Sequence, residues 1–302
     1  MTPASNRPRL AVAAITFAFL VAMLGTTLPT ALYPLYEKAF GLQPVTVTVI
    51  FAVYAVGVFA GLVAFGRLSD QVGRRPVLLA ALLLAAASAI VFLLAHGLPA
   101  LLVGRLLSGF SAALMTGTGT AALIDLLSAG DRASTIATAG NMGGLAAGTF
   151  LSGGVAQLVA SPLRAPFVVG LALAVLAIGG LALVPETVDR PARISLRPQR
   201  LRVPPRARTT FLRAAFAAGA GFAVLGTLTA VTGLFVAQVL HLTSHLLAGS
   251  IVGIAFVSSA LGQLVSRRFE PDKVLPVACV GLAAAAGLIA VALGTATLAP
   301  LI

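Results

Sequence analysis

GRLSDQVGRRP, residues 66–76, gathers Arg67, Asp70, Arg74 and Arg75 into one short stretch of a chain in which only 9% of 302 residues are charged. Apolar runs flank it, residues 45–66 before and 77–95 after, each long enough to cross a hydrocarbon core of about 30 Å as a helix. The stretch therefore reads as a polar turn between two membrane helices. The rest of the chain agrees: with 59% hydrophobic residues and a mean hydropathy of +1.05, it is far more apolar than a soluble domain that must keep a wettable surface. The alternating ten-residue pattern of a membrane barrel is absent.

Apolar runs broken by Gly, Pro and charge predict an all-α membrane protein with nine helices, at roughly residues 10–32, 45–66, 77–95, 99–124, 133–158, 166–184, 211–237, 246–265 and 274–293. Of the 20 Lys and Arg residues, 17 fall in the N-terminus and every second connection, two (Lys38 and Arg164) fall on the opposite side, and Arg105 lies inside a helix. That asymmetry predicts a multi-pass protein of the plasma (inner) membrane with a cytoplasmic N-terminus. It also explains the net charge of +12 without a nucleic-acid partner, since the basic residues sit in short loops and form no single wet surface. The first run follows Arg7 and Arg9 but is too long for a signal peptide, and similar spans follow it. Cys279 is the only cysteine, so no intrachain disulfide can form.

The chain repeats itself. LGTTLPTALYPLYEKAFGL from residue 24 resembles LGTLTAVTGLFVAQVLHL from residue 225, and Gly57 and Gly66 are spaced like Gly253 and Gly262. Between the copies, PETVDRPARISLRPQRLRVPPRARTT (185–210) is too rich in Pro and Arg to span a membrane or pack a core. Its reading is a solvated cytoplasmic tether, with contact to anionic headgroups as the alternative. The expected organisation is a six-helix bundle at 1–184, the linker at 185–210 and a three-helix partial bundle at 211–302. Because Gly57 answers Gly253, Ile302 answers Leu106, so the second unit stops three helices short of the first.

Residues 66–76 resemble the signature loop of the major facilitator superfamily, with Gly66, Leu68, Asp70, Gly73, Arg74 and Arg75 at the matching positions. The resemblance implies a twelve-helix, drug-exporter-like fold, here ending after the ninth helix. It also implies that this loop is a latch that holds the cytoplasmic side shut in one state. Asp125 is the expected partner of Arg74 or Arg75, and Asp70 is suited to accept backbone N–H groups at the positive end of a neighbouring helix. LLVGRLLSGFSAA (101–113) resembles the family's fourth-helix motif through Arg105 and Gly109. A charge at membrane depth marks function, although Arg105, about six residues inside its helix, is also within snorkelling reach of the outer interface. GLAAGTFLSGG (144–154) resembles the fifth-helix motif associated with antiporters through Gly144, Gly148 and Gly153, with Thr149 where the family has Pro; small residues four apart also serve plain helix packing. VPET at 184–187 resembles the end of the family's sixth helix.

On that resemblance the chain is a secondary transporter of small lipophilic molecules working by alternating access, with proton-coupled efflux as a finer expectation. It is expected to be monomeric and to need no cofactor or metal. Candidate lining groups are Thr26, Thr27, Asn141, Gln157 and Thr229, with Arg105 as the deep charge; Glu37, in the first outer loop, is the candidate coupling carboxylate. His96, His241 and His245 fall in outer loops with no third ligand to complete a metal site. An enzyme is ranked last, since no nucleophile constellation or carboxylate pair is present. The competing reading is a truncated membrane protein that does not transport and acts only as an interaction partner.

Overall fold

The structure is a computed structural model that describes residues 7–127, 130–188, 203–242 and 244–295. Its α-helices are α1 (Arg7–Thr27), α2 (Tyr33–Phe40), α3 (Pro44–Phe65), α4 (Leu68–Val72), α5 (Arg74–Leu93), α6 (Leu98–Leu127), α7 (Gly130–Leu158), α8 (Ala165–Gly180), α9 (Arg208–Leu234), α10 (His245–Ser266) and α11 (Pro271–Thr295). Most of the expected linker, residues 189–202, lies outside the described residues, as do residues 296–302.

Among the described residues, eight helical stretches are long and apolar enough to cross a membrane. The first differs from expectation: it continues through a 3-10 turn at Thr30–Leu32 into α2, covering Pro8–Phe40. Pro29 and Pro34 do not stop it. Each stands at the start of a new helical segment, where a missing N–H costs no hydrogen bond. Glu37, expected in a loop, therefore sits on α2, and His245, also expected in a loop, opens α10.

The helix α7 is not among the eight, although its 29 residues would extend over about 43 Å. Gly, Ala, Ser and Thr dilute its hydropathy because both its long faces are covered by protein. A methyl group at Gly140 would meet Phe19, at Gly144 Leu20 and Met23, and at Gly148 Leu24 and Thr27, so α7 runs beside α1 in the same direction with the backbones in contact. Thr27 completes this seam by donating to the Leu145 carbonyl at 2.8 Å. Along another face, Gly153 lies against His245 and Gly249, and Gly253 against Phe150, so α10 runs antiparallel to α7.

The same contacts orient the remaining helices. Gly170 packs on Leu28 and Gly180 nears Ala14, which makes α8 antiparallel to α1. Gly57 abuts Leu106 and Gly109, while Gly61 abuts Phe110 and Ala113, so α3 and α6 are parallel. The Ser88 hydroxyl donates to the Gly104 carbonyl and Ser111 to that of Ala81, each at 2.8 Å, which sets α5 antiparallel to α6. Two apolar cores fill this bundle. One gathers Ile15, Phe19, Leu78, Leu82 and Met115, with Leu68 of the charged turn packed against it. The other gathers Leu32, Tyr33, Tyr36, Phe92 and Phe167, the last two rings stacked 4.9 Å apart.

The turns that carry Arg74, Asp125, Asp131 and Arg267 lie at one end of the molecule, called the basic end below. Helix α10 docks on α7, α9 reaches the first unit mainly at the opposite end, and α11 packs chiefly on α9 with most of its surface uncovered.

Candidate functional site

At the basic end, residues 66–76 form the short helix α4 and the start of α5. Arg74 is the hub. Its Nε donates to Asp125 Oδ2 at 3.0 Å, and its Nη1 donates to Ser69 Oγ at 2.8 Å and to Asp70 Oδ1. Thr187 shares Asp125 Oδ2 through its hydroxyl at 2.9 Å. The Arg74 side chain is only 12% exposed, against 30% for Asp125 and 54% for Asp70, so its carboxylate contacts are partly shielded from solvent.

Asp70 does not take the backbone role expected of it. It stands one turn before Arg74, the spacing at which side chains pair on a helical surface. Glu186, arriving from the segment after α8, caps α5 instead: its carboxylate accepts the backbone N–H of Arg74 at 2.8 Å and of Arg75 at 3.2 Å. Negative charge there complements the positive end of the helix. Arg75 contributes that N–H, and its side chain is exposed. Gly73 is needed twice over. Its φ of +110° suits glycine alone, and a methyl group there would collide with the Glu186 carboxylate. Gly66, by contrast, is right-handed helical and exposed. Replacing Gly73 by alanine should lower stability by about 1–3 kcal/mol, read as a lower thermal midpoint, whereas Gly66→Ala should leave it unchanged.

Arg105 does not snorkel. It is 1% exposed, turned from α6 into the bundle toward α1, α2 and α3. Nε and Nη2 donate to the Tyr33 hydroxyl and Nη1 to the Thr26 carbonyl. The guanidinium carbon lies 4.9 Å from the Phe51 ring centre, 5.3 Å from Tyr33 and 5.5 Å from Tyr54, within cation–π range. Gly109, one turn along α6, lets the α3 backbone approach at Tyr54 and Gly57, which brings these aromatic side chains over the arginine. Among the described residues no carboxylate pairs with Arg105.

The other predicted lining groups are less available. Thr26 donates to Met23 O at 2.7 Å and Thr229 to Leu225 O at 2.6 Å, both local backbone bonds. Gln157 accepts the His245 N–H at 3.0 Å across the α7–α10 seam. Asn141 is half-buried on α7. The three glycines of the fifth-helix motif divide their work, Gly144 and Gly148 facing α1 and Gly153 facing α10.

Besides the Gln157–His245 bond, polar contacts join the units at both ends. At the basic end Arg267 of α10 donates to the Asp131 carbonyl at 2.9 Å, to Ser134 Oγ at 2.8 Å and to Thr135 Oγ1, all on α7. At the other end Gln238 donates to both carboxylate oxygens of Glu37, at 2.7 and 2.8 Å. A π-helical turn at Phe235–Val239 carries Gln238, and such turns recur at functional positions. Glu37 and Gln238 occupy equivalent positions of the two repeated stretches, so they meet where a pseudo-twofold axis relating those stretches would pass. Glu186, Arg267, Gln238 and the aromatic shell of Arg105 escaped sequence reasoning. Only VPET and the repeat pointed toward any of them.

Parallel and antiparallel small-residue seams between long apolar helices, with a charged hub at one end, define a multi-span helical membrane protein. Residues 15–302 match the family model of the Major Facilitator Superfamily, and the chain belongs to that family. Comparison with characterised proteins by sequence gave no match. Among solved structures, the fold is similar to that of the human organic anion transporter MFSD10 (TETRAN), with a TM-score of 0.63 at 20% identity over 87% of this chain and 72% of that one. It is also similar to a bacterial homologue of the human lysosomal transporter Spinster. The inward-facing occupied form gives 0.64 at 19% identity over 88% of this chain and 63% of that one, and the unoccupied form 0.67 at 15% over 90% and 64%. The chain thus spans under two thirds of the length of the Spinster homologue. Members of this family are transporters, not enzymes.

Proposed function

We propose that this chain moves small lipophilic molecules across the plasma (inner) membrane by rocking its second unit against the six-helix bundle, with α7 as the fifth crossing and the basic end in the cytoplasm. The observation that carries this reading is the pair of inter-unit contacts at opposite ends, Arg267 on α7 and Gln238 on Glu37, with the α7–α10 seam between them. Both contacts are polar and exchange readily with water, so each end can part while the glycine-lined seam stays packed. Arg105 and Asn141 are the groups assigned to substrate. The Arg74–Asp125–Asp70 hub is assigned as the latch that holds the cytoplasmic side shut in one state and releases it in the other.

Proton-coupled drug efflux by a monomer is the finer form of this proposal, with Glu37 as the coupling carboxylate. Its position at an inter-unit contact supports that role, because protonation would change its bond to Gln238. The test is flux of lipophilic solutes in proteoliposomes under imposed pH gradients of either sign; no gradient-driven movement of any solute overturns the reading. Gln238→Glu sets two carboxylates face to face. It should part this end at neutral pH, and acidification should restore closure as one of the two facing carboxyls protonates. Thiol labelling of a cysteine placed at Gly233, beside Pro34, reads the opening. The second reading, an inserted but non-transporting interaction partner, is supported by the large uncovered surfaces of α3 and α11. Unchanged solute gradients combined with co-purification of a helical membrane partner would favour it.

A further inference from the structure

Arg105 carries a full positive charge into the interior, and among the described residues nothing around it carries the matching negative one. A guanidinium holds its proton at any physiological pH, so it cannot relieve its burial by becoming neutral. Its neighbours are a phenol, a backbone carbonyl and three ring faces. These supply partial charges only. Of its five N–H donors, Nε, one on Nη1 and one on Nη2 are engaged, which leaves a second N–H on each terminal nitrogen. Two N–H groups on one planar fork are the donor set that grips a carboxylate or another oxyanion. Access is close at hand. Phe51 and Tyr54 are half-buried, and α3, which carries both, is the least covered wall of the cage.

We propose that Arg105 with Tyr33, Phe51 and Tyr54 forms an anion site whose missing negative charge is supplied by the transported molecule, an amphiphile with an oxyanion head and an apolar body. The aromatic shell takes the apolar part and the free edge of the guanidinium takes the head. Rotation of the Phe51 and Tyr54 rings uncovers the arginine. This deepens the transporter reading and rests on it only for how bound anion leaves the site.

The chain carries its own reporter. It has no tryptophan and three tyrosines, Tyr33, Tyr36 and Tyr54, of which two touch Arg105 and the third lies one helical turn from Tyr33. Tyrosine emission of the whole protein in liposomes of pure lipid therefore reports on this cage. Octanoate, octanol and octylammonium share one apolar chain and differ in charge, and none absorbs where tyrosine is excited. The expected result is a saturable change in emission with octanoate, at least tenfold weaker with the other two. Arg105→Gln should abolish the octanoate response, and Arg105→Lys should retain it in weakened form. Empty liposomes doped with free N-acetyltyrosinamide control for bilayer effects, and helical circular dichroism confirms that each variant is folded. Equal responses to all three probes, or an unchanged octanoate response in folded Arg105→Gln, overturns the proposal. Flux separates the two ideas: selective octanoate binding without movement of any solute removes the transporter reading and leaves the anion site, whereas gradient-driven movement of cations by a protein blind to octanoate does the reverse.

Discussion

Valine at Gly249 is expected to separate α10 from α7 and to cost the protein more stability than any other single change considered. A side chain there collides with the Thr149 carbonyl, and the Gly153 Cα lies 3.2 Å from where the first carbon would sit. Neither obstacle can turn aside, because both are helix backbone. Overpacking of this kind costs about 1–3 kcal/mol even where neighbours can adjust, and here the helices must part along their shared length. Gly262, on the same helix, is the control: nothing lies within 4 Å of its Cα substituent direction, so Gly262→Val should be neutral or slightly stabilising through helix propensity. Thermal unfolding followed by helical circular dichroism checks both. Equal midpoints for the two variants would remove the seam from the account.

A short bifunctional thiol reagent joining Ser134→Cys to Arg267→Cys should abolish flux, and reduction should restore it. These positions face each other at the basic end, where the Arg267 guanidinium now reaches Ser134 and Thr135. If transport requires that end to open, one covalent bridge suffices to stop it. The native Cys279 is exposed and must first be replaced by serine. Full flux in a protein shown by mobility to be completely bridged would mean that α7 and α10 never part there. The same pair without reagent should lose only the polar contact, which is solvent-exposed and worth little on its own.

Much of the helical plan was legible locally. Lipid selects apolar runs by length, so α3, α5, α6, α8, α10 and α11 each announced themselves, and the arginines marked the turns between them. The polar turn at 66–76 was legible in its residue types, and Arg74–Asp125 was one of two pairings expected. The capping of α5 was not. Asp70 and Glu186 are both carboxylates near the basic end, and hydropathy carries no information on which one meets the helix axis. Arg105 was ambiguous for a related reason. Six residues of depth permit a long side chain to reach the interface, and only the direction of its Cβ, set by the packing of α6 on α3, sends it inward.

By itself the sequence determined that this is a multi-span helical membrane protein, where most of its turns lie, and that one arginine stands apart from the rest inside a predicted helix. Those properties follow from the solvent, because each segment must satisfy the bilayer alone. Tertiary structure decided that α7 runs between α1 and α10, that Glu186 caps α5, and that Glu37 meets Gln238 some 201 residues away. Which surfaces meet depends on where side chains are absent on two facing helices at once, and no single stretch of chain contains that information.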